Sequence, residues 1–533
     1  MDQFNVLFEA ILKNSINITK IAFTDYTSGR WNIFELDKIE ETKVKSFVFL
    51  RDSYPIIKSF LSGAINYYPT IEEFTISNCE LTNVQLGKIF LMISKLDCCK
   101  NMKTLTIKGM NNKSFPFDKF TIMMENLTDL QSLYISELDF DGSLILASLC
   151  KSQSHVKRVK IDNMAFIASI NVSVLKLPPE LILLNLSNNS FAQNALKSTL
   201  QLITSPSNNI TPIVVQMANL KLKVSAMRIF KAFEFHDLRS NIAEFDWSGN
   251  IISYDMVNGF FSFLYTQKKM RMLILNDIKL EKQKHFFDSL SKYIIFNQLQ
   301  GFDISGKFSS KIICPFLSSL KNSVFIRRIG FRCINGGDSI VKSLTDLIPT
   351  LPFLTEIIGD GNSPISLSVF YNFWEAVFNN SSICNNDIPK KDLKKLKLDP
   401  QSFDENYKQM FKALQSRPQP SKLEQRVDYI INKLSIVNSN PLLSNTQYTG
   451  DIFIESTSTP LLDTIRDQFA EVEPEPVDDH VVYEVPESKI MNSILKPSSL
   501  SDMEEDQLNN EAVVINSDKS DYRFDSTASY NEV

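Results

Sequence analysis

Apolar residues recur at positions one, four and six of short segments that repeat along most of the chain. The clearest copy is Leu181-x-x-Leu184-x-Leu186, which is followed by Asn189 at position nine. Residues with this spacing on a short strand point into a shared core that one repeat cannot close alone. We therefore expect neighbouring copies to stack.

Fourteen copies follow one another at a mean spacing of about 29 residues, the long end of the range for leucine-rich repeats. Their predicted first positions are Ile18, Val44, Ile71, Met102, Leu130, Val156, Leu181, Val214, Ile242, Met270, Leu299, Ile326, Leu354 and Leu393. The copy at Val214 is irregular, because Asn219 falls at an expected core position and the preceding interval is long.

Between the strand segments the apolar spacing becomes helical, as in Leu86, Ile89, Phe90 and Ile93. A unit of this length holds a strand and a helix. The pattern predicts a curved α/β solenoid with about 14 strand-helix repeats and a parallel sheet on its concave side. The 39 phenylalanines fit a wide core between the strand and helix layers.

Position nine of each repeat departs from the usual leucine-rich pattern. An asparagine there normally bonds the backbone of a neighbouring turn, and this chain has one at Asn189, Asn250 and Asn362. Most other copies carry an apolar residue or cysteine. We expect three separate asparagine sites and no continuous ladder.

The composition predicts four regions. Residues 1–17 read as an amino-terminal capping helix, residues 18–415 as the solenoid, and residues 416–439 as an amphipathic helix. That helix is interpreted either as a second layer of cap or as a helix for dimerisation or a partner. Residues 440–533 carry 5 basic and 20 acidic residues and predict a disordered acidic tail.

The seven cysteines contain no CxxC pair, and with four dispersed histidines they predict no metal site. Reduced thiols and the absence of a signal-peptide pattern favour a cytoplasmic protein. The sequence also lacks phosphate-binding loops and the common hydrolase motifs. We therefore expect no enzymatic activity and no cofactor.

Basic residues form three candidate partner-binding patches. Their members are Lys157, Arg158 and Lys160; Arg327, Arg328 and Arg332; and Lys390, Lys391, Lys394, Lys395 and Lys397. Acidic residues such as Glu244, Asp246 and Asp303 lie between them, so no continuous basic track exists and nucleic acid is not expected. The lysine cluster fits an acidic protein, an anionic membrane surface bound weakly, or the chain's own tail. The tail itself is interpreted either as a solubility element or as an autoinhibitory segment.

The segments Leu181–Asn189 and Ile242–Asn250 resemble the ribonuclease-inhibitor-like class of cytosolic leucine-rich repeats. The order of long repeats, helical segment and extended tail also resembles the CARMIL family of actin regulators. That resemblance implies a protein-protein interaction scaffold with partners in the actin cytoskeleton.

An alternative resemblance is to the Ran GTPase activators, which combine leucine-rich repeats with an acidic tail. It implies an arginine near the amino-terminal repeats, and Arg30 and Arg51 are the candidates.

Overall fold

A computed structural model describes most of the repeat region. The described residues are 18–24, 44–67, 70–110, 114–152, 154–205, 212–222, 230, 242–321, 323–332, 336–362, 364–380, 382–383, 385–386 and 389–397. The predicted capping helix, the amphipathic helix at 416–439 and the acidic tail lie outside these residues, so they stay predictions.

Nineteen strands are defined in the described residues. They are β1 Lys20–Thr24, β2 Ser46–Leu50, β3 Glu73–Ser77, β4 Thr104–Met110, β5 Ser132–Leu138, β6 Arg158–Asp162, β7 Ala165–Phe166, β8 Leu183–Asn185, β9 Ser190–Phe191, β10 Ile213–Gln216, β11 Lys221–Leu222, β12 Ile242–Asp246, β13 Ile251–Ile252, β14 Met272–Leu275, β15 Lys279–Leu280, β16 Gly301–Ser305, β17 Arg328–Arg332, β18 Glu356–Ile358 and β19 Asn385–Asn386.

Twelve helices are defined in the same part of the chain. They are α1 Tyr54–Tyr67, α2 Asn83–Lys95, α3 Asp97–Lys100, α4 Phe117–Asn126, α5 Gly142–Lys151, α6 Gln193–Ile203, α7 Met256–Tyr265, α8 Gln283–Phe296, α9 Ser310–Ser319, α10 Gly337–Leu347, α11 Leu367–Asn379 and α12 Lys390–Lys395.

Fourteen strands form one parallel sheet in the order of the chain, β1-β2-β3-β4-β5-β6-β8-β10-β12-β14-β16-β17-β18-β19. Each strand pairs with the next, as in Phe47 beside Phe74 and Phe74 beside Leu105. Parallel neighbours need crossover connections, which helices supply in most units. The predicted α/β class and the large parallel sheet are confirmed, and this repeat-like arrangement is compatible with a solenoid.

The sheet register tests the predicted repeat boundaries. Position four of the copy at Leu181 is Leu184, which pairs with Val215, and Val215 pairs with Phe245. The equivalent first position is therefore Pro212, so the prediction of Val214 was wrong by two residues. Ile213, Val214 and Val215 are all buried, and the sequence consequently shows no alternation from which to choose a register.

The predicted last strand, beginning at Leu393, was also wrong. Residues 390–395 form helix α12, and the fourteenth strand is β19, in which Asn386 pairs with Ile357. The equivalent first position is the fully buried Ile383. Leu393 and Leu396 fit the one-four spacing of the repeat, but this spacing also describes one face of a helix.

The core lies between the sheet and the helices. Side chains at strand positions four and six point to the helices, and aromatic rings fill much of the gap, as in Phe47 and Phe49 against Phe60 at centroid distances of 4.6 and 5.2 Å. The same contact recurs between Phe302 and Phe316 at 5.9 Å. The predicted structural role of the phenylalanines is confirmed for these rings.

Position eight of the repeat is a left-handed turn that follows the strand. Its members with positive φ are Arg51, Asn78, Gly109, Glu137, Asn163, Asn188, Asn219, Gly249, Asp277, Gly306 and Gly361. At Gly249 a Cβ atom would lie 1.8 Å from Asn219 Oδ1 of the preceding turn, so glycine is required for space as well as for conformation.

Asparagine at position nine ties adjacent turns together, as the sequence predicts. Asn250 Oδ1 accepts a hydrogen bond from Leu220 N at 2.7 Å, and its Nδ2 donates to Met217 O and Trp247 O. Asn189 makes the corresponding bonds. The side chain of Asn362 donates to Phe331 O and Gly359 O.

Two negative findings apply to the described residues alone. No helix among them is long and apolar enough to cross a lipid bilayer. Within the same ranges, no cluster of three or more His, Cys, Asp or Glu side chains is arranged to hold a metal ion.

Candidate functional site on the outer face of the sheet

The outer face is the side of the sheet opposite the described helices. Because side chains alternate along a strand, positions three and five of each repeat point to this side. Two ladders of paired residues result. The first contains Lys20, Ser46, Glu73, Thr104, Ser132, Arg158, Leu183, Val214, Glu244, Met272, Gly301, Arg328 and Glu356. The second contains Ala22, Val48, Thr75, Thr106, Tyr134, Lys160, Asn185, Gln216, Asp246, Ile274, Asp303, Gly330 and Ile358.

Solvent exposure distinguishes two zones in these ladders from β3 onward, whereas Lys20 and Ala22 of β1 are exposed and belong to neither zone. The half-exposed zone comprises the ladder residues of β3–β6, of which Ser132 alone is buried. The buried zone comprises the ladder residues of β8–β18, of which Asp246 alone is half-buried and all others are buried. The change falls between β6 and β8.

A three-membered ion-pair cluster lies at the edge of the half-exposed zone. Glu72 accepts from Lys45 Nζ at 2.6 Å and from Lys103 Nζ at 2.9 Å. Partial burial of Glu72 would raise its pKa, but the two lysines outweigh this effect and hold the pKa below its usual value. The cluster therefore stays charged at neutral pH.

Tyr134 lies at the centre of the half-exposed zone, between Thr106 and Lys160 on the second ladder. Burial raises the pKa of its hydroxyl, although Ser132 and Arg158 act in the opposite direction. The hydroxyl therefore stays protonated at neutral pH. Lys108 and Glu137 form an ion pair of 3.3 Å on neighbouring strands.

The first predicted basic patch belongs to this zone. Lys160 Nζ lies 3.0 Å from Asp162 Oδ2, and Lys157 Nζ lies 3.9 Å from Glu180. Arg158 is half-buried on the first ladder. The structure therefore brings Lys157, which directly precedes β6, together with Arg158 and Lys160 on that strand, with carboxylates beside the two lysines.

A second group of charges lies inside the buried zone. Arg328 donates from Nη2 to Asp303 Oδ2 at 3.0 Å and from Nη1 to Glu356 Oε2 at 3.2 Å. These three residues belong to three adjacent strands and are between 4% and 8% exposed. Such burial of charge is stabilising only where the ions are paired and hydrogen-bonded.

Two more carboxylates, Glu244 and Asp246, lie on the outer face near this acidic cluster. Burial raises the pKa of Glu244 well above its usual value, an effect that Asp246 and Asp303 reinforce and Arg328 opposes. Burial also raises the pKa of Asp246, to about 6, against the hydrogen bond it accepts from Ser248 N at 2.9 Å. For Arg328, burial alone would lower the pKa, but Asp303 and Glu356 outweigh it and raise the pKa above its usual value.

Two strand glycines make room for this cluster. A Cβ atom at Gly330 would lie 1.9 Å from Asp303 Oδ1, and one at Gly301 would lie 3.1 Å from Arg328 Cβ. Glycine on these strands therefore has a packing reason. The arrangement admits the Arg328 guanidinium between the two carboxylates.

The second predicted basic patch is divided by the fold. Arg328 is buried in its ion pairs, whereas the Arg327 guanidinium lies over the Phe353 ring at 5.9 Å from the centroid. Arg332 is half-buried at the end of β17. The structure therefore does not present Arg327, Arg328 and Arg332 as one exposed surface.

The third predicted patch lies on α12 and the turn after it. Its members Lys390, Lys391, Lys394, Lys395 and Lys397 are all exposed. Asp360 and Asp392 anchor this helix, because Lys391 N and Asp392 N donate to Asp360 Oδ1 while Gly361 N donates to Asp392 Oδ2 at 2.8 Å. The cluster is held at the turn that follows β18.

Sequence reasoning missed Tyr134 and Glu356. Tyr134 stands between the apolar positions Leu133 and Ile135, so its outward direction was readable from the alternation, but not its central place between Thr106 and Lys160. Glu356 lies two residues after the apolar position Leu354, so its outward direction was readable in the same way. Its pairing with Arg328 depends on the register between strands, which the sequence of one repeat does not contain.

Two cavities of very different size lie on the helix side of the described residues. The cavity between Val341, Phe370 and Asp392 measures about 10 Å³. A wider, open depression of about 540 Å³ lies beside α8, where Tyr254, Lys282 and His285 form part of its wall.

Comparison with known proteins gives no further guidance: no protein-family model matches the chain, and no curated protein sequence matches it.

Proposed function

We propose that this protein is a non-enzymatic interaction scaffold, which binds a protein partner on the half-exposed zone. The observation that carries the proposal is the contrast along the outer face. Among the described strands, β3–β6 offer a run of partly exposed polar side chains, whereas the outer-face side chains of β8–β18 are nearly all buried.

The chemistry of the half-exposed zone favours a protein ligand. It combines threonine and serine hydroxyls, charges of both signs and one central aromatic ring, Tyr134. Aromatic anchors surrounded by polar groups are typical of protein interfaces, where tyrosine is enriched among the residues that contribute most to affinity. Mixed charges set the orientation of a partner more than its affinity.

The finer assignment follows the resemblance of the repeats. We propose a leucine-rich-repeat solenoid of the ribonuclease-inhibitor-like class, acting in the cytoplasm in a CARMIL-like way in actin-cytoskeleton assembly. The sequence pattern supports this assignment, and the observed repeat-like parallel sheet is compatible with it.

The lysine cluster on α12 is proposed as a second contact. Five exposed ammonium groups within eight residues attract an acidic partner surface or an anionic membrane surface. Such contacts weaken as ionic strength rises, because exposed charges are screened.

The test is a crosslinking pulldown from lysate of the source cells with the full chain, its Tyr134→Ala variant and a Tyr371→Ala control. Tyr371 is a 48% exposed tyrosine on α11, on the helix side. Its substitution therefore removes the same kind of side chain as Tyr134→Ala, but from a different surface. We expect cytoskeletal proteins to be enriched, and Tyr134→Ala alone to reduce them at least tenfold. Equal enrichment with all three proteins would place binding elsewhere and contradict the proposal.

The alternative of GTPase activation is tested in the same lysate fractions. Arg51 lies exposed at the left-handed turn after β2, whereas Arg30 lies outside the described residues. Stimulated GTP hydrolysis that Arg51→Ala abolishes would favour the activator and contradict pure scaffolding. Unchanged hydrolysis would favour the scaffold.

A further inference from the structure

The buried zone is shielded although no described helix lies over it. Val214 is 0% exposed, Met272 is 1% and Glu244 is 2%, and all three point away from the helix layer. Thr75 and Thr106 occupy the same kind of ladder position in the half-exposed zone and stay partly exposed. Strand neighbours alone therefore do not account for the shielding, and a further layer must cover β8–β18.

The sequences of the strands show the same division. Strand β3 reads Glu-Phe-Thr-Ile-Ser, with polar residues on the outer face, whereas β14 reads Met-Leu-Ile-Leu and β10 begins Ile-Val-Val. Strands that are buried on both faces read as continuous apolar runs, and strands with one solvated face alternate. The outer face of β10 and β14 is thus built for an apolar contact.

We propose that residues 416–439 of this chain occupy the buried zone and close its outer face. The predicted amphipathic helix in this segment carries Leu423, Val427, Ile430, Ile431 and Leu434 on one side. These residues supply an apolar surface that packs against Leu183, Val214, Met272 and Ile274.

Charge complementarity supports this occupant. The buried zone carries Glu244, Asp246, Asp303 and Glu356 against Arg328, so it is acidic overall. At helical spacing, Lys422, Arg426 and Lys433 fall together on one flank of the apolar side. A basic flank beside an apolar stripe matches an acidic cluster beside apolar strand residues.

The length and the starting point also fit. The seven strands of the buried zone span about 29 Å, because adjacent strands lie about 4.8 Å apart. A stretch of 17 residues of the predicted helix would extend about 25 Å. The described chain ends at Lys397, just past α12, which is anchored to the turn after β18. Residues 398–415 are long enough to lead from there onto the outer face.

Other segments outside the described residues fit less well. Phe230, the one described residue between Leu222 and Ile242, packs on Trp247 and Phe260 in the helix-side core. Strand β1 is at the opposite edge of the sheet. Residues 440–533, with 20 acidic and 5 basic residues, would repel the acidic cluster.

The test measures thiol labelling in the full chain. Val214→Cys places a probe in the buried zone, Thr106→Cys places a matched probe in the half-exposed zone, and mass spectrometry follows each site. We expect the thiol at 214 to react at least a hundredfold more slowly than that at 106. Adding Val427→Asp with Ile430→Asp should accelerate position 214 at least tenfold and leave position 106 unchanged.

The native Cys99, which is 0% exposed in the helix-side core, reports whether the variant stays folded. If it also becomes reactive, the variant Arg426→Glu with Lys433→Glu decides, since it changes only the charged flank. Rapid labelling at 214 in the parent protein would overturn the proposal. Slow labelling at 214 that neither variant of residues 416–439 changes would also overturn it, because another segment would then be the cover. The outcome is separate from partner binding at Tyr134, so either proposal can fail alone.

Discussion

At the scale of single residues, the turn after each strand carries most of the specificity of the repeat. Position eight adopts the left-handed conformation, and position nine, when it is asparagine, satisfies backbone groups of two turns. Asparagine, aspartate and glycine tolerate positive φ better than other residues. Their recurrence at position eight was visible in the sequence. For the repeat that begins at Pro212, it would have identified Asn219 as the residue of the turn and so fixed the register.

Asn250→Ala tests the role of position nine. The substitution leaves Leu220 N, Met217 O and Trp247 O without their partner inside the core, and buried unsatisfied groups cost 1–3 kcal/mol each. We expect a loss of about 3 kcal/mol in the free energy of unfolding, measured with urea. Asn126→Ala at the exposed end of α4 is the control, with a loss below about 0.5 kcal/mol. Equal losses would contradict the role assigned to Asn250.

At the scale of elements, the outer face of β12–β18 depends on one guanidinium. Arg328→Met keeps the length of the side chain but leaves Asp303 and Glu356 without their ion pairs in a buried site. Removing one partner of a buried ion pair typically costs about 3–5 kcal/mol. We expect a loss of this size in thermal or urea unfolding.

The adjacent Arg327→Met is the matched control for Arg328→Met. The Arg327 guanidinium lies over the exposed Phe353 ring, so we expect a loss of about 1 kcal/mol or less. A loss at Arg327 that equals the loss at Arg328 would show that the buried pairs add no stability of their own.

The raised pKa of Asp246 makes stability depend on pH. Its pKa is about 6 in the folded protein against an ordinary 3.8, so between these values the folded protein holds a proton that the unfolded chain releases. Stability from this group is therefore greatest below about pH 4 and is lost as the pH rises through about 6. We expect Asp246→Asn to stabilise the protein relative to the parent by about 2 kcal/mol more at pH 7.5 than at pH 4.

The measurement is urea unfolding of both proteins at the two pH values. Glu244, whose pKa is also raised, keeps a slope of the same sign in the variant, so the difference between the two proteins reports Asp246 together with its effect on Glu244. An unchanged difference at both pH values would mean that Asp246 is charged and well solvated in the folded state.

The strand pattern of the sequence locates twelve of the fourteen repeat starts, and the two errors have one physical cause each. At Val214 both faces of the strand are apolar, so alternation cannot fix the register. At Ile383 the strand carries Asn385 and Asn386, so the apolar signal is weak and the leucines of α12 are the stronger match. The basic patches were visible as composition, but the partners of Arg328 come from strands about 25 to 28 residues away.

At the scale of the whole molecule, the chain-order pairing of the sheet means that each strand touches only its two neighbours. Stability in such an array is close to a sum of local terms and nearest-neighbour interfaces. A lesion should therefore loosen its own part of the sheet before distant parts. This also explains how one sheet can combine a half-exposed zone in β3–β6 with a buried zone in β8–β18.

Leu133→Ala and Leu273→Ala make this locality measurable. Both leucines are 0% exposed and lie at position four of their repeats, in β5 and β14, and each substitution should cost about 2–5 kcal/mol. Followed by hydrogen exchange and mass spectrometry, Leu133→Ala should accelerate exchange in β4–β6 at least tenfold and leave β16 and β17 nearly unchanged. Leu273→Ala should accelerate β12–β16 and spare β4. Uniform acceleration over the sheet by both variants would show that the repeats unfold as one cooperative unit.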